Sequence, residues 1–299
     1  MYVVLGATGH TGSAAAQTLL QQGQKVRAVG RDAGKLAQLE ALGAETAAAD
    51  LHDRAALGKA LAGAKAAYLM IPPQVKADDF LAAADGISSA VTDAVKASGV
   101  SHVVVLSSLA AQRSEKTGPI LVLHAFEEKL QQVPGLSALF LRPAVFMENF
   151  LMMIPLIQSM GFLAGGVRAD QKMAMIATRD IGQYAAKRLV AADFTGFGAR
   201  ELLGQRDLCN EEVAQAIGAG IGKKLSYQRF PAFMVEQGMK QMGVPKKTAS
   251  LMSELNEAIN NGLLAPLEAR SEANSTPTSI ETFVNESFVP AYNAKAARA

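Results

Sequence analysis

The 299-residue sequence contains a single cysteine, no tryptophan and only four histidines. One cysteine, Cys209, cannot form a disulfide within the chain, which favours a reducing compartment. The histidines and Cys209 also lack the paired spacing that is typical of a zinc site. The sequence therefore predicts neither an internal disulfide nor a bound metal.

The sequence also lacks a strong excess of charge and a long uninterrupted apolar segment. Its 29 basic and 27 acidic residues leave a formal net charge of +2, and no arginine-rich run with interleaved aromatic residues points to nucleic acid. The most apolar late stretch, residues 145–163, is interrupted by Glu148 and Pro155, which disfavours a membrane span. The first apolar run leads directly into a glycine-rich turn and leaves no room for a signal peptide. We expect a cytoplasmic protein with no direct nucleic-acid partner and no membrane contact.

Over its first 150 residues the sequence alternates between short β-branched runs and longer helical segments. The runs have the length of buried strands, and the segments between them are rich in alanine, leucine, glutamine and lysine. This alternation predicts βαβ units with right-handed crossovers, and therefore a parallel sheet covered on both faces. The expected fold class is α/β, with a doubly wound Rossmann-type sheet formed by residues 1–150. The predicted strands are residues 2–5, 25–29, 45–49, 66–71, 103–107 and 137–141.

The pattern changes after residue 150. Helical segments at 210–217, 233–242 and 250–260 follow one another without strands between them. A helix at 181–192 and a short strand at 201–203 continue the earlier alternation, so residues 177–205 are expected to return to the first domain. Residues 151–176 and 206–299 are predicted to form a smaller, mainly helical part that binds a substrate or a partner. The tail from Asn285 onward is expected to be disordered.

The most specific motif is Gly6-Ala7-Thr8-Gly9-His10-Thr11-Gly12, which separates the first predicted strand from the first predicted helix. A pyrophosphate binds free backbone amides at the positive end of a helix dipole. Glycines permit the sharp turn and the close approach of the phosphates, because a Cβ atom would block either. In this strand–turn–helix context the motif predicts a nicotinamide dinucleotide site. Within the loop, His10 could donate to a phosphate or face solvent.

The residues after the second strand bear on the choice between NADP(H) and NAD(H). NAD enzymes usually place an acidic residue there, which binds the ribose 2′-hydroxyl. Here Arg31 follows the strand and Lys35 lies one helical turn further on. A guanidinium can bind a 2′-phosphate through two hydrogen bonds, and the lysine adds a second positive charge. The sequence predicts NADP(H) in preference to NAD(H), although Asp32 could neutralise Arg31 or contact a ribose itself.

Several stretches together resemble the NmrA-like proteins, an atypical branch of the short-chain dehydrogenase/reductase superfamily. This family includes NAD(P)H:quinone oxidoreductases, reductases of plant phenolics, and NADP-sensing regulators without known turnover. The resemblance covers residues 1–220 well and the rest poorly. The stretches are the glycine motif, Val-Gly-Arg-Asp at 29–32, Ala-Asp-Leu at 49–51, Leu-Arg-Pro-Ala-Val-Phe-Met-Glu-Asn at 141–149, Ala-Thr-Arg-Asp-Ile at 177–181 and Glu-Leu-Leu-Gly at 201–204.

The resemblance implies a place for each part of the cofactor. The loop after the third strand would contact the adenine, although Asp50 or Asp53 would equally well cap the next helix. The end of the fourth strand would pass the ribose, the end of the fifth would lie near the nicotinamide, and a loop at 146–149 would cover it. Beyond the glycine motif, the implied cofactor-binding residues are Arg31, Lys35, Asp50, Leu51, Ile71, Pro72, Ser107, His124, Phe146 and Asn149.

Typical short-chain dehydrogenases use a Tyr-x-x-x-Lys pair in which the tyrosine acts as the acid. None of the five tyrosines here is followed by lysine at the fourth position. The corresponding helix carries His124 and Glu128 on one face at i, i+4 spacing, which resembles the quinone-reductase-like members. His124 could protonate a reduced quinone, bond the nicotinamide ribose or be an exposed helix histidine. Ser107 could polarise a carbonyl, or it could simply cap backbone groups.

Six of the twelve methionines fall between Met147 and Met175. Their flexible thioethers suit an adaptable site for a small apolar substrate such as a quinone, or they simply fill a core. Two functions are therefore predicted. The first is an NADP(H)-dependent oxidoreductase that reduces a quinone or similar small carbonyl compound by hydride transfer. The second is a non-catalytic NADP(H)-sensing regulator that binds a partner according to cofactor state; a homodimer or a regulatory protein partner stays open.

Overall fold

The computed structural model describes residues 1–296. Its strands are β1 (Tyr2–Leu5), β2 (Val26–Gly30), β3 (Glu45–Ala48), β4 (Ala66–Leu69), β5 (His102–Leu106), β6 (Ser137–Pro143), β7 (Val145–Phe146), β8 (Leu163–Gly165), β9 (Met173–Ile176), β10 (Phe197–Leu202), β11 (Asp207–Leu208) and β12 (Tyr227–Arg229). Short 3-10 helices occur at Gly118–Ile120 and Met147–Met153, and a π-helix at Val284–Phe288.

The α-helices lie between these strands and dominate the last hundred residues. None of the helices within residues 1–296 has the length and apolar character that a membrane span requires. They are α1 (His10–Gln21), α2 (Ala33–Glu40), α3 (Arg54–Leu61), α4 (Phe80–Ser98), α5 (Leu121–Gln131), α6 (Ile154–Met160), α7 (Thr178–Ala191), α8 (Asn210–Ile221), α9 (Ala232–Gln241), α10 (Lys246–Asn260), α11 (Ile280–Phe283) and α12 (Val289–Ala296).

Seven strands form one parallel sheet in the order β10-β6-β5-β4-β1-β2-β3. The chain starts in the middle, moves outward to β3, and then returns to β4 on the other side of β1. The strand order thus reverses between β1 and β4, where doubly wound folds bind their ligands outside the carboxyl ends of the strands. The predicted fold class is confirmed.

Both faces of the sheet are buried, as a parallel sheet requires. Alternate residues of β5 point to opposite faces, so that Val103 and Val105 pack with α3, α4 and α5, whereas Val104 and Leu106 pack with α1, α2 and α7. Runs of consecutive apolar residues rather than alternating ones are the consequence, and they are the signal that identifies these strands in the sequence.

A third apolar cluster lies outside the large sheet. It joins Met147 and Ile157 to Ile217 of α8 and to Phe283 and Phe288 near the end of the chain. Two small sheets accompany it, one of β11, β9 and β7 and one of β12 and β8. The expectation of a mainly helical second part holds. Its strands, each two to four residues long, carry too few residues to show a period in the sequence.

The tail is ordered, contrary to expectation. Residues 280–296 form α11, the π-helix and α12, and they bury Phe283, Phe288 and Tyr292 in the third cluster. The prediction of disorder from Asn285 onward is therefore wrong as far as residue 296, because Phe288 and Tyr292 supply apolar area that anchors a terminal helix. The last part of that prediction, residues 297–299, lies outside the described residues.

The segment before this tail is fastened to the large sheet by buried polar groups. The Glu201 carboxylate accepts hydrogen bonds from the backbone amides of Leu267 and Glu268, at 3.0 and 2.9 Å. Asp180 at the start of α7 accepts from the backbone amide and the hydroxyl of Thr278, at 3.1 and 2.6 Å. The stretches 177–181 and 201–204 thus hold the end of the chain in place.

The first turn of α1 is fixed by two contacts from other elements. A Cβ atom at Gly182 of α7 would lie 2.5 Å from Ala14 Cβ and 2.6 Å from the Thr11 carbonyl oxygen, so the two helices touch backbone to backbone. From the other side, the fully buried Tyr68 hydroxyl of β4 donates to Thr11 Oγ1 at 2.9 Å. The start of α1 is therefore placed by the sheet below it and by α7 beside it.

The contact at Gly182 leads to a test of stability. Gly182→Ala should lower the free energy of unfolding by about 1–3 kcal/mol, because the added methyl group forces two packed helices apart. Gly58 of α3 has no atom within 4 Å of an added Cβ atom. Gly58→Ala should therefore raise that free energy by about 0.5–1 kcal/mol through helix propensity. Urea unfolding of both variants measures the two effects, and equal stability of the two proteins would contradict the described packing.

Candidate functional site

The glycine motif forms a cradle between β1 and α1. Gly6 has a left-handed backbone with φ +66°, and a Cβ atom there would lie 2.6 Å from Met70 Sδ. A Cβ atom at Gly12 would lie 2.3 Å from the Gly6 carbonyl oxygen. Both positions thus require glycine. Gly6 permits the left-handed turn, and Gly12 permits the contact between α1 and that turn. The close approach expected of a dinucleotide fingerprint is present.

The start of α1 differs from the starts of α2, α3 and α4. Asp32, Asp53 and Asp79 cap α2, α3 and α4 by accepting a backbone N–H. Gly9 precedes α1, no side chain within residues 1–296 caps the helix, and its first turn carries no acidic residue. The positive end of the α1 dipole and its first amides therefore remain available to an anion. His10 is the first residue of this helix and is exposed, so the prediction that it lies within the loop is wrong.

Arg31 and Lys35 lie beside this cradle, at the end of β2 and the start of α2. Both side chains are exposed, and neither forms a salt bridge within the part of the chain that the structure describes. Asp32 accepts a hydrogen bond from the Lys35 backbone amide at 3.1 Å. The carboxylate that could have neutralised Arg31 is used as a helix cap.

In the loop after β3, the sequence left open whether Asp50 or Asp53 caps the next helix and which of them could contact the adenine. Asp53 caps α3 through the Ala56 amide at 3.0 Å. Asp50 is exposed and accepts from the His52 amide at 2.9 Å within the loop, and Leu51 is buried beside it. Asp53 is therefore the cap, and Asp50 lies at the carboxyl edge of the sheet without a helix to cap.

At the ends of β5 and β6 the structure shows a polar cluster that the sequence reading missed. Ser107 and Glu127 are 4% and 3% exposed, and the Ser107 hydroxyl donates to Glu127 Oε1 at 2.5 Å. Arg142 binds both oxygens of Glu127, through Nε at 3.1 Å and Nη2 at 2.6 Å, and reaches Gln112 Oε1 at 3.4 Å. The strand-end serine therefore does not cap backbone groups with its hydroxyl; it belongs to a buried ion-pair network.

His124 lies on α5, about one helical turn before Glu127. Its Nδ1 donates to the Ala111 carbonyl oxygen at 2.8 Å, because a carbonyl oxygen can only accept. Its Nε2 lies 3.6 Å from Glu128 Oε1, and the Glu128 side chain is 65% exposed. The predicted i, i+4 pair is present. The stronger contact, to Ala111, orients the ring and leaves Nε2 as the ring atom that can exchange a proton.

The loop that carries Ala111 has an uncommon backbone. Ala110 is buried and has φ +66°, a left-handed conformation that residues with a Cβ atom rarely adopt. Such conformations persist only where surrounding contacts fix them, and they cluster at functional sites. The loop between Ser107 and the partner of His124 is therefore held in one shape by its neighbours.

The other predicted cofactor residues lie at the same edge of the sheet. The strand β4 ends at Leu69, two residues earlier than predicted, so Ile71 and Pro72 lie two and three residues beyond its end. Phe146 belongs to β7 and packs against the cluster on the α1 side of the sheet, whereas Asn149 is an exposed residue of the next 3-10 helix. All of these positions follow the carboxyl ends of β1, β2, β3, β4, β5 or β6. No group of histidine, cysteine and acidic side chains within residues 1–296 is arranged to hold a metal ion.

These features together fit a dinucleotide. The glycine cradle and the uncapped helix suit a pyrophosphate, and exposed basic residues stand at the second strand. The polar side chains of Ser107, Glu127 and Arg142 lie at the ends of β5 and β6, on the other side of the switch point, which a dinucleotide that crosses it would reach. Glu127, Arg142 and Gln112 were missed because each reads singly as a surface charge or amide. A signal was present: Glu127 follows the apolar Phe126 on a helix face that otherwise enters the core, where an acidic residue needs a partner.

Comparison with known proteins identifies the family of this chain. The model of the NmrA-like family matches residues 2–284. An NAD(P)H azoreductase from Xenophilus azovorans is 30% identical over 262 residues, which are 85% of this chain and 86% of that protein.

Solved structures share the fold. An NADPH-dependent quinone oxidoreductase from Escherichia coli, complexed with NADPH, superposes with a TM-score of 0.75 at 23% identity and covers 96% of this chain and 100% of its own. NmrA, a negative transcriptional regulator in complex with NAD, gives 0.67 at 13% identity, over 99% of this chain and 97% of its own. Since the family model spans nearly the whole chain and the azoreductase reaches 30% identity, the chain belongs to the NmrA-like family.

Proposed function

We propose that this chain is an NADPH-dependent reductase that transfers hydride to a quinone or a similar small carbonyl compound. The observation that carries the proposal is the uncapped start of α1 above a cradle of obligatory glycines, with the exposed Arg31 and Lys35 beside it. A helix end that lacks both a cap and an acidic residue is suited to a pyrophosphate. Two basic side chains at the end of β2 suit the additional phosphate of NADP(H).

In this proposal each predicted residue contacts one part of the cofactor. Residues 6–12 bind the pyrophosphate, Arg31 and Lys35 bind the 2′-phosphate, and Asp50 with Leu51 contacts the adenine. Ile71 and Pro72 lie along the ribose. Ser107 and His124 contact the nicotinamide, and Phe146 and Asn149 cover the nicotinamide ring. We further propose that residues 1–150 and 177–205 form the cofactor domain, and that residues 151–176 and 206–299 form the part that binds the substrate or a partner.

The chemistry asks little of the protein beyond position and one proton. The bound NADPH supplies a hydride, and a quinone that accepts it needs one further proton to become a quinol. His124 can supply that proton from Nε2 when both ring nitrogens are protonated, since the Nδ1 proton stays with Ala111, and water then returns a proton to Nε2. Proximity accounts for the rest of the acceleration, which is why a Tyr-x-x-x-Lys pair is dispensable. Of the six methionines between residues 147 and 175, Met147 and Met175 are buried in the third apolar cluster and fill a core, whereas Met152 and Met160 are exposed. The exposed thioethers are flexible and would suit a flat apolar substrate.

A regulatory function is the second candidate. The missing Tyr-x-x-x-Lys pair and the similarity in fold to a transcriptional regulator that binds NAD favour it. In that case the second part of the chain would change its contacts with a partner according to cofactor state, and the site would bind the cofactor without turnover.

The experiment that tests the proposal follows NADPH oxidation by absorbance against a panel of small quinones and aldehydes, with NADH in parallel. We expect turnover with quinones that is faster with NADPH. Arg31→Ala should weaken NADPH binding about ten- to a hundredfold, the loss expected for hydrogen bonds to a charged group, and should leave NADH binding almost unchanged. Lys25→Ala is the matched control, because it removes a positive charge at the opposite end of the same strand.

Three outcomes of that experiment would contradict parts of the proposal. Cofactor binding without turnover of any acceptor would favour the regulator. Full NADPH affinity in Arg31→Ala would refute the assignment of the 2′-phosphate. Failure of wild-type protein to bind either dinucleotide would refute the site itself.

His124 has a test of its own. His124→Ala should lower kcat with quinones about a hundredfold, the usual contribution of a positioned acid, while the NADPH dissociation constant changes much less. His102→Gln changes a histidine at the opposite end of β5 and should leave kcat unchanged. Glu128→Gln should have little effect, because an exposed pair contributes little. A rise in the NADPH dissociation constant with unchanged kcat would instead show that His124 only binds the ribose.

A further inference from the structure

The buried cluster of Ser107, Glu127, Arg142 and Gln112 has an unusual composition for the edge of an apolar sheet. Its ion pair is enclosed, since the Glu127 side chain is 4% and the Arg142 side chain 14% exposed. A buried ion pair is a weak source of stability, because the loss of hydration offsets much of the attraction between the charges. The pair is therefore better explained by what it does to the groups it touches.

The cluster fixes the direction of one hydrogen bond. Both Glu127 oxygens accept from Arg142, and a carboxylate has no proton to donate. The hydrogen bond of 2.5 Å between Ser107 and Glu127 must therefore use the serine proton. Once that proton is engaged, the Ser107 oxygen has only its lone pairs left for any other partner.

The same guanidinium acts on the neighbouring loop. Arg142 Nη1 reaches Gln112 Oε1 at 3.4 Å, and Gln112 follows Ala111, whose carbonyl oxygen accepts from His124 Nδ1. One arginine thus connects the group that orients Ser107 to the loop that orients His124. The two side chains proposed to lie at the nicotinamide share a single support.

We propose that Glu127, held by Arg142, is a positioning residue that makes Ser107 a hydrogen-bond acceptor for the carboxamide N–H group of the bound nicotinamide. This rests on the proposed function, because it requires the nicotinamide to lie at the end of β5. A Ser107 that polarises a substrate carbonyl is incompatible with this arrangement, since polarisation needs the serine proton, which is donated to Glu127. The acid role then belongs to His124 alone, and Ser107 selects and orients the cofactor ring.

The test compares two ligands by calorimetry, without turnover. NADP⁺ carries the carboxamide N–H₂, and its 3-acetylpyridine analogue has a methyl group there and keeps the carbonyl. Wild-type protein should bind NADP⁺ about three- to tenfold more tightly than the analogue, as expected for one net hydrogen bond. Ser107→Ala should abolish this preference by weakening NADP⁺ binding alone. Glu127→Gln should also abolish it, because the amide can donate to Ser107 and turn the serine proton outward.

The matched control is Glu45→Gln, which disrupts another Arg–Glu pair, formed with Arg27 at 2.6 Å at the opposite edge of the sheet. It should leave the preference for NADP⁺ intact. Thermal unfolding of each variant shows whether it folds; if Glu127→Gln does not, the wild-type and Ser107→Ala ratios still decide whether Ser107 accepts.

Each alternative result overturns the proposal in a different way. Equal binding of the two ligands by wild-type protein would show that Ser107 does not accept from the carboxamide. Equal weakening of both ligands in Glu127→Gln would show that the ion pair only supports the fold. Failure of wild-type protein to bind NADP⁺ would instead refute the cofactor site, so the two proposals fail in distinguishable ways.

Discussion

The close approach of the first turn of α1 to the end of β1 is the constraint on which the site depends. Gly12 leaves no side chain between the helix and the Gly6 carbonyl, and Gly182 lets α7 press on the same turn from outside. Tyr68 holds Thr11 from below. These contacts fix an uncapped helix end at the point where the strand order reverses, and a rigid set of amides is what a pyrophosphate needs. The second half of the chain contributes to this constraint through α7.

The two ends of the site are built by different means. The phosphate end uses backbone and the absence of side chains, so it needs little more than glycine and a helix. The proposed nicotinamide end uses buried polar side chains from β5, α5 and β6, and Arg142 connects them. The first end suits any dinucleotide. The second end, together with Arg31, is where the choice of cofactor and the chemistry would be decided.

The sequence predicts the local parts of this structure well and the contacts between distant residues poorly. The parallel sheet follows from consecutive apolar runs, and the glycine cradle follows from a motif seven residues long. By contrast, Glu127 and Arg142 lie fifteen residues apart, and no local pattern in the sequence indicates that they form an ion pair. The tail from Asn285 was expected to be disordered because Phe288 and Tyr292 are its only large aromatic residues, and they are buried by residues distant in sequence, among them Ile157 and Ile217. The short strands β7 to β9 are defined by pairing with distant strands, since two to four residues are too few to show an alternating apolar pattern.

The central claim is that this edge of the sheet directs hydride from NADPH to an acceptor. Its most direct test is a single-turnover measurement with a quinone and NADPH that carries deuterium at one or the other position of the nicotinamide C4. A protein that holds the ring in one orientation should break only one of the two C–H bonds. The account predicts slower NADPH oxidation with one deuterated form and an unchanged rate with the other. Oxidation at the same rate with both forms would contradict it.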